Sequence, residues 1–285
     1  MNDLTRKEID RTVARVLKDA GIKTPPVKIE DILECIEIHR NFYDLDDPSL
    51  LQRVFHKIKV GGVKLKQLTE KINLSAIWMP DKKTIFIDES LPRVKQDWAS
   101  FHDTTHTILK WHRPFFLGDT AQTLDPDFQE MLESEANYGA SALMFGGKLF
   151  THEALDTPPE WSSIELFNRR YKKSLVTTLR GYVGFTHNIP MLMMVSTPWW
   201  LEIPPDQPFP WRHIVYSPLF SCKFGRVDPE SFLDLVNSNI TKRKGGIVGT
   251  FEFIISDLND NRREFRAECF FNRYYVLTLA VQNNN

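Results

Sequence analysis

His102-Asp103-Thr104-Thr105-His106 places two imidazoles four residues apart, with a carboxylate directly after the first. On a helix, residues i and i+4 lie on one face, so both rings can reach a single ion. That is the spacing of the His-Glu-x-x-His zinc helix, in which the Glu is a general base. Here Asp stands at the Glu position, one methylene shorter. A helical wheel gathers Trp98, Phe101, His102, Thr105, Leu109 and His112 on one face, with His106 at its edge. One histidine on such an apolar stripe reads as a satisfied core residue. Two at this spacing, beside a carboxylate, read equally as a metal site or as coincidence until a third ligand is found.

The helix expected to follow, about 126–146, supplies a third ligand. Its apolar stripe holds Phe128, Met131, Leu132, Gly139, Ala142 and Leu143, with Glu135 in the middle and Glu130 and Glu133 well off it. A carboxylate on a buried face needs a cation or strong donors; an Arg or Lys partner would also serve. Glu135 follows His106 by 29 residues, a natural distance for one helix to turn back onto another. Two His nitrogens, a Glu oxygen and an open fourth position make a catalytic zinc arrangement. The expected ligands are therefore His102, His106 and Glu135, and the expected cofactor is Zn2+.

Outward from this centre, residues 5–20 read as an amphipathic helix stopped by Gly21, and 29–35 as a second short helix. The stretch 48–72 is open between a hairpin turning at Gly61-Gly62 and a helix over 49–58. Ser75–Met79 and Thr84–Asp88 flank Pro80-Asp81-Lys82-Lys83, which predicts a β-hairpin. Further helices are expected at about 92–111 and 161–182. Five prolines in 197–210 make that stretch loop or extended, and strands are expected at 250–256, 263–271 and 274–281.

The bulk properties fit a globular protein: 42% hydrophobic, 26% charged, net charge −1. That balance gives no global attraction to nucleic acid or an anionic membrane. Cys35, Cys222 and Cys269 form no CxxC pair, which suits a reducing compartment. The N-terminus has no apolar signal region, and the longest apolar run, Ile189 to Val195, is too short to cross a bilayer. A cytoplasmic protein without a membrane partner is expected.

Taken together, these segments resemble the ImmA/IrrE-type metallo-endopeptidases over roughly residues 8–185. The likeness runs from Val13-Ala14-Arg15-Val16-Leu17-Lys18-Asp19-Ala20-Gly21-Ile22 and Pro25-Pro26-Val27 to Ile85-Phe86-Ile87-Asp88. It continues through Phe101-His102-Asp103-Thr104-Thr105-His106-Thr107-Ile108-Leu109 and Glu133-Ser134-Glu135-Ala136-Asn137. The resemblance implies that His102, His106 and Glu135 are zinc ligands and that Asp103 is the general base. It also implies a protein substrate, such as a helix-turn-helix transcriptional repressor. The expected fold class is α+β: a zincin-like, mostly helical N-terminal domain with a small β-sheet at 1–157, then a β-rich domain at 186–285. Between them, 158–185 is expected as a helical linker or helix-turn-helix-like segment, and the β-rich domain as a sensing or partner-binding one.

Other readings compete. His112, six residues after His106, has the spacing of a third metzincin ligand, but Leu109 stands where that motif needs Gly. His112 and Tyr138 are instead expected near the substrate rim. A His-Asp phosphohydrolase would use His102-Asp103 with His56 and Asp156, leaving His106 and Glu135 without a role. A metal-binding regulator without catalysis is the main alternative, with Arg169, Arg170, Lys172, Lys173 and Arg180 as a basic face toward DNA.

Overall fold

A computed structural model describes residues 3–43, 76–79, 83–116, 126–185, 189–205 and 207–283. The protein is α+β and divides into two compact units, Met1–Leu149 and Phe150–Asn285. The alternative hairpin or helix at 48–72 lies outside the described residues.

In the first unit, α1 (Asp3–Asp19) buries Ile9, Val13, Val16 and Leu17. Gly21 ends it at φ 67°, where the amides of Gly21 and Ile22 reach back to the carbonyls of Lys18 and Leu17. After α2 (Ile29–Cys35) come β1 (His39–Tyr43), β2 (Ala76–Met79) and β3 (Thr84–Asp88), in the order β1-β3-β2. The hairpin expected around residues 80–83 is the antiparallel pair β2–β3, with Met79 opposite Thr84. Strand β1, parallel to β3, has no counterpart among the sequence expectations. A parallel partner has no tight turn to announce it.

Helix α3 (Arg93–Ile108) packs on this sheet, and α4 (Pro126–Met144) packs along α3. Gly139 sets that second contact. A Cβ there would lie 2.4 Å from Thr105 Cγ2, so only glycine lets the two helices approach as they do. Between them Phe101, Leu109, Ala140 and Leu143 are buried.

The division between the units falls inside α5 (Lys148–Leu155), eight residues before the Thr157 boundary expected from sequence. The helix expected at 161–182 is two helices, α6 (Trp161–Tyr171) and α7 (Leu175–Phe185). Lys172 takes a left-handed conformation at φ 54°, and Ser174 Oγ accepts the Thr177 amide at 3.1 Å to start α7. These helices fall within the second unit, Phe150–Asn285. Trp161 stacks on Phe270 at 4.7 Å, and its backbone amide donates to Glu268 at 2.8 Å.

The second unit is built on an antiparallel sheet in the order β5-β4-β8-β7-β6. Its strands are β4 (Met191–Ser196), β5 (Trp211–Tyr216), β6 (Gly246–Ser256), β7 (Arg262–Phe271) and β8 (Val276–Gln282). Every residue of β4 is buried, because helices cover both of its faces. That explains the continuous apolar run, which is not alternating as in a half-exposed strand. Leu192 and Met194 face Phe220 of α8 (Pro218–Phe224) and Phe232 of α9 (Pro229–Ser238). Both of these helices start on a side-chain cap, Ser217 or Asp228, followed by proline. Among the aromatics at 199–211, Trp200 packs edge-on against Phe271 and Phe209 stacks on Trp211, all within this unit. No described helix is long and apolar enough to cross a membrane.

Candidate metal centre

Two i,i+4 pairs meet where α3 packs on α4. His102 and His106 project from α3, and Glu133 and Asn137 from α4, so the equal spacing lets the pairs mesh. His102 Nε2 lies 3.1 Å from Glu133 Oε2, and His106 Nε2 lies 3.4 Å from Glu133 Oε1. The two Nε2 atoms are 3.1 Å apart. His102 Nδ1 is 3.2 Å from Asn137 Oδ1. One ligand atom from each of His102, His106 and Glu133 falls within 4.8 Å of the others, a donor set able to bind a metal ion.

The carboxylate at the imidazole pair is thus Glu133, where the sequence expectation was Glu135. Glu135 is 3% exposed and points elsewhere: its Oε2 accepts from Trp111 Nε1 at 2.7 Å and lies 3.0 Å from His112 Nε2. Side chains two residues apart on a helix diverge by about 200°, so the two glutamates cannot share one face. The wheel selects Glu135 because it weighs burial. A ligand that leaves a coordination position open sits where the core meets solvent, and the Glu133 side chain is 59% exposed.

His112, expected at the rim, is wholly buried. Leu109 leaves the helix in an extended conformation, and a 3-10 turn, Lys110–Phe116, brings Trp111 and His112 back over Glu135. There His112 Nδ1 lies 2.8 Å from His106 Nδ1. Tyr138, also expected near substrate, turns to α1 instead. Its hydroxyl donates to Asp10 at 2.8 Å, and Arg6 lies over its ring. Of the basic residues at 169–180, Arg170 pairs with Glu153 at 2.7 Å.

Asp103 is buried, and its Oδ2 has no hydrogen-bond partner among the described residues. Burial pushes its carboxyl up to about 6, against the pull of His102 and His106. The His102 and His106 rings beside it hold Glu133 well below the usual carboxylate range. Burial alone would depress His102, but Glu133, Asp103 and Asn137 outweigh it and raise the ring. Burial depresses His112, outweighing its hydrogen bond to Glu135.

These residues fit a metal on the chemistry of their donors. Asn137 Oδ1 accepts the proton on His102 Nδ1, which leaves the lone pair of that ring on Nε2. Two imidazole nitrogens 3.1 Å apart beside a carboxylate could hold a metal ion, and two imidazoles with one carboxylate are a catalytic zinc donor set.

No protein-family model matches the chain, and a search of curated proteins finds no match. Among solved structures it is similar to a Mycobacterium tuberculosis transcriptional regulator, with a TM-score of 0.49 and 12% identity. The alignment covers 96% of this chain and 88% of that one.

Proposed function

We propose that this protein is a zinc-dependent endopeptidase, with the ion held by His102, His106 and Glu133 and with Asp103 as the general base. One observation carries the reading: two imidazoles and a carboxylate converge next to a buried carboxyl that has an unpartnered oxygen. When bound, such an ion supplies Lewis acidity, polarising a carbonyl and bringing the pKa of water toward about 7. Asp103 accepts the proton of the attacking water and returns it to the leaving amine as the peptide bond breaks. His102 and His106 hold their Nε2 atoms toward the centre through what their Nδ1 atoms bond. The family resemblance makes a helix-turn-helix repressor the substrate to try first.

A second reading, a metal-binding regulator without catalysis, is favoured by the short reach of Asp103. Its carboxylate is retracted by one C–C bond, about 1.5 Å, relative to Glu.

Metal analysis of the purified protein tests the ligand set. About one zinc per chain is expected, from three protein donors and an open fourth position. Glu133→Ala should remove it, whereas Glu135→Gln should still load at saturating zinc. The reverse pattern would return the ligand role to Glu135. Cleavage of a helix-turn-helix repressor, abolished by Asp103→Asn, supports the peptidase. A zinc-loaded wild type that leaves that repressor intact supports the regulator.

A further inference from the structure

The cluster also contains a buried relay that no ligand role uses. Trp111 Nε1 donates to Glu135 Oε2 at 2.7 Å, and His112 Nε2 lies 3.0 Å from the same oxygen. A carboxylate only accepts, so the proton of this contact sits on His112 Nε2. A neutral imidazole has one donor and one acceptor, which makes His112 Nδ1 an acceptor. Facing it at 2.8 Å is His106 Nδ1, which must therefore carry a proton and donate it. The lone pair of His106 is then on Nε2, the atom directed at Glu133 and His102.

We propose that His112 and Glu135 are positioning residues that fix His106 in its Nδ1–H tautomer and so set the metal affinity of the His102–His106–Glu133 site. This rests on the reading of those three residues as the metal site. The arrangement is built rather than incidental: His112 is 0% and Glu135 3% exposed, and groups so deep are costly unless bonded. A histidine ligand whose other nitrogen is bonded to such a partner is held in both orientation and tautomer. His112 lies too far along the chain to be a helical neighbour of His106 on α3. Only the extended Leu109 and the 3-10 turn bring it back.

Two measurements test the proposal. In metal-free, 15N-labelled wild type, the ring nitrogen shifts of His106 should report a protonated Nδ1. Zinc affinity by chelator competition should fall about 10- to 100-fold in His112→Leu, the usual cost of losing such a partner. His112→Gln should recover most of the loss, because its amide offers an oxygen to His106 and an N–H to Glu135. Circular dichroism checks that each variant is folded. Should His112→Leu fail to fold, the wild-type ring shifts and the affinity of His112→Gln against Glu135→Gln carry the test. A His106 ring with Nε2 protonated and Nδ1 bare, or wild-type affinity in a folded His112→Leu, overturns the proposal. A wild type that takes up no zinc overturns the metal site itself, and the relay's role with it.

Discussion

The two units bury polarity in opposite ways. In the first, the buried polar residues include Asp88, Asp103, His106, His112 and Glu135. In the second, those among the described residues are Ser163, Thr178, Ser196, Thr197, Ser217 and Thr278, all hydroxyls. A hydroxyl can be met by nearby backbone. Ser217 Oγ accepts the Met191 amide at 2.9 Å and also lies at the start of α8, and Ser163 donates to the Pro158 carbonyl at 2.6 Å. Carboxyls and imidazoles cost far more to bury. Asp88 is satisfied locally by Ser90. The other four belong to one cluster, and fold stability alone gives no reason to collect them. The difference separates a unit shaped around a chemical centre from one shaped by packing.

That contrast breaks if damage to the second unit's core empties the metal site. Phe265 is fully buried among Phe220, Phe224 and Phe253, with ring centroids 5.2–5.7 Å away. Phe265→Ala should cost about 3–5 kcal/mol. Thermal unfolding should show the loss, while metal analysis well below the transition should still find the wild-type zinc content. Loss of zinc from the folded variant would mean that the centre depends on the second unit.

Gly139→Ala sharpens the contrast from the other side. The added methyl would meet Thr105 Cγ2 at 2.4 Å, and Thr105 sits between His102 and His106 on α3. Forcing the helices apart should cost about 1–3 kcal/mol, less than the phenylalanine truncation. Because the same shift separates the imidazoles from Glu133, zinc affinity should fall. Unchanged affinity would show that the site tolerates a wider helix spacing.

How much of this was legible in the sequence follows from which signals are local. The i,i+4 histidines on one helix, the β2–β3 pairing and the strands β6 to β8 depend on neighbours in sequence, and they read correctly in type, although β6 starts at Gly246, ahead of the expected 250. β1 and β4 did not, because a parallel pairing and a two-faced covering are decided by distant segments. The break between α6 and α7 rests on a left-handed lysine, a conformation that no glycine advertises there. Ser217-Pro218 and Asp228-Pro229 were readable as helix starts, and they mark the helices missing from the β-rich expectation. In the centre, burial picked Glu135, whereas the matching signal was spacing: Glu133 and Asn137 repeat the interval of His102 and His106. The role of His112 needed the turn after Leu109, which no periodicity predicts.

The smallest expected effect concerns the imidazole that departs from the second unit's pattern. His213 is half-buried on β5, and the charges acting on it are those of Arg180 and Arg212. Burial, then the two guanidinium groups, push its pKa down to about 4 from an ordinary 6.5. Its neutral form is the one the fold accepts. Above about pH 6.5 neither the folded nor the unfolded chain binds the proton, so the associated stability is fully present. As pH falls from about 6.5 to about 4 the unfolded chain takes up a proton that the folded chain refuses, and that stability is lost. Gln at this position cannot titrate. In His213→Gln the Tm should therefore fall less steeply with acid than in wild type over that window, the two curves converging or crossing toward the lower end. Parallel curves would show that His213 takes its proton in the folded protein, and the acid sensitivity would then belong to the histidines and carboxyls of the first unit.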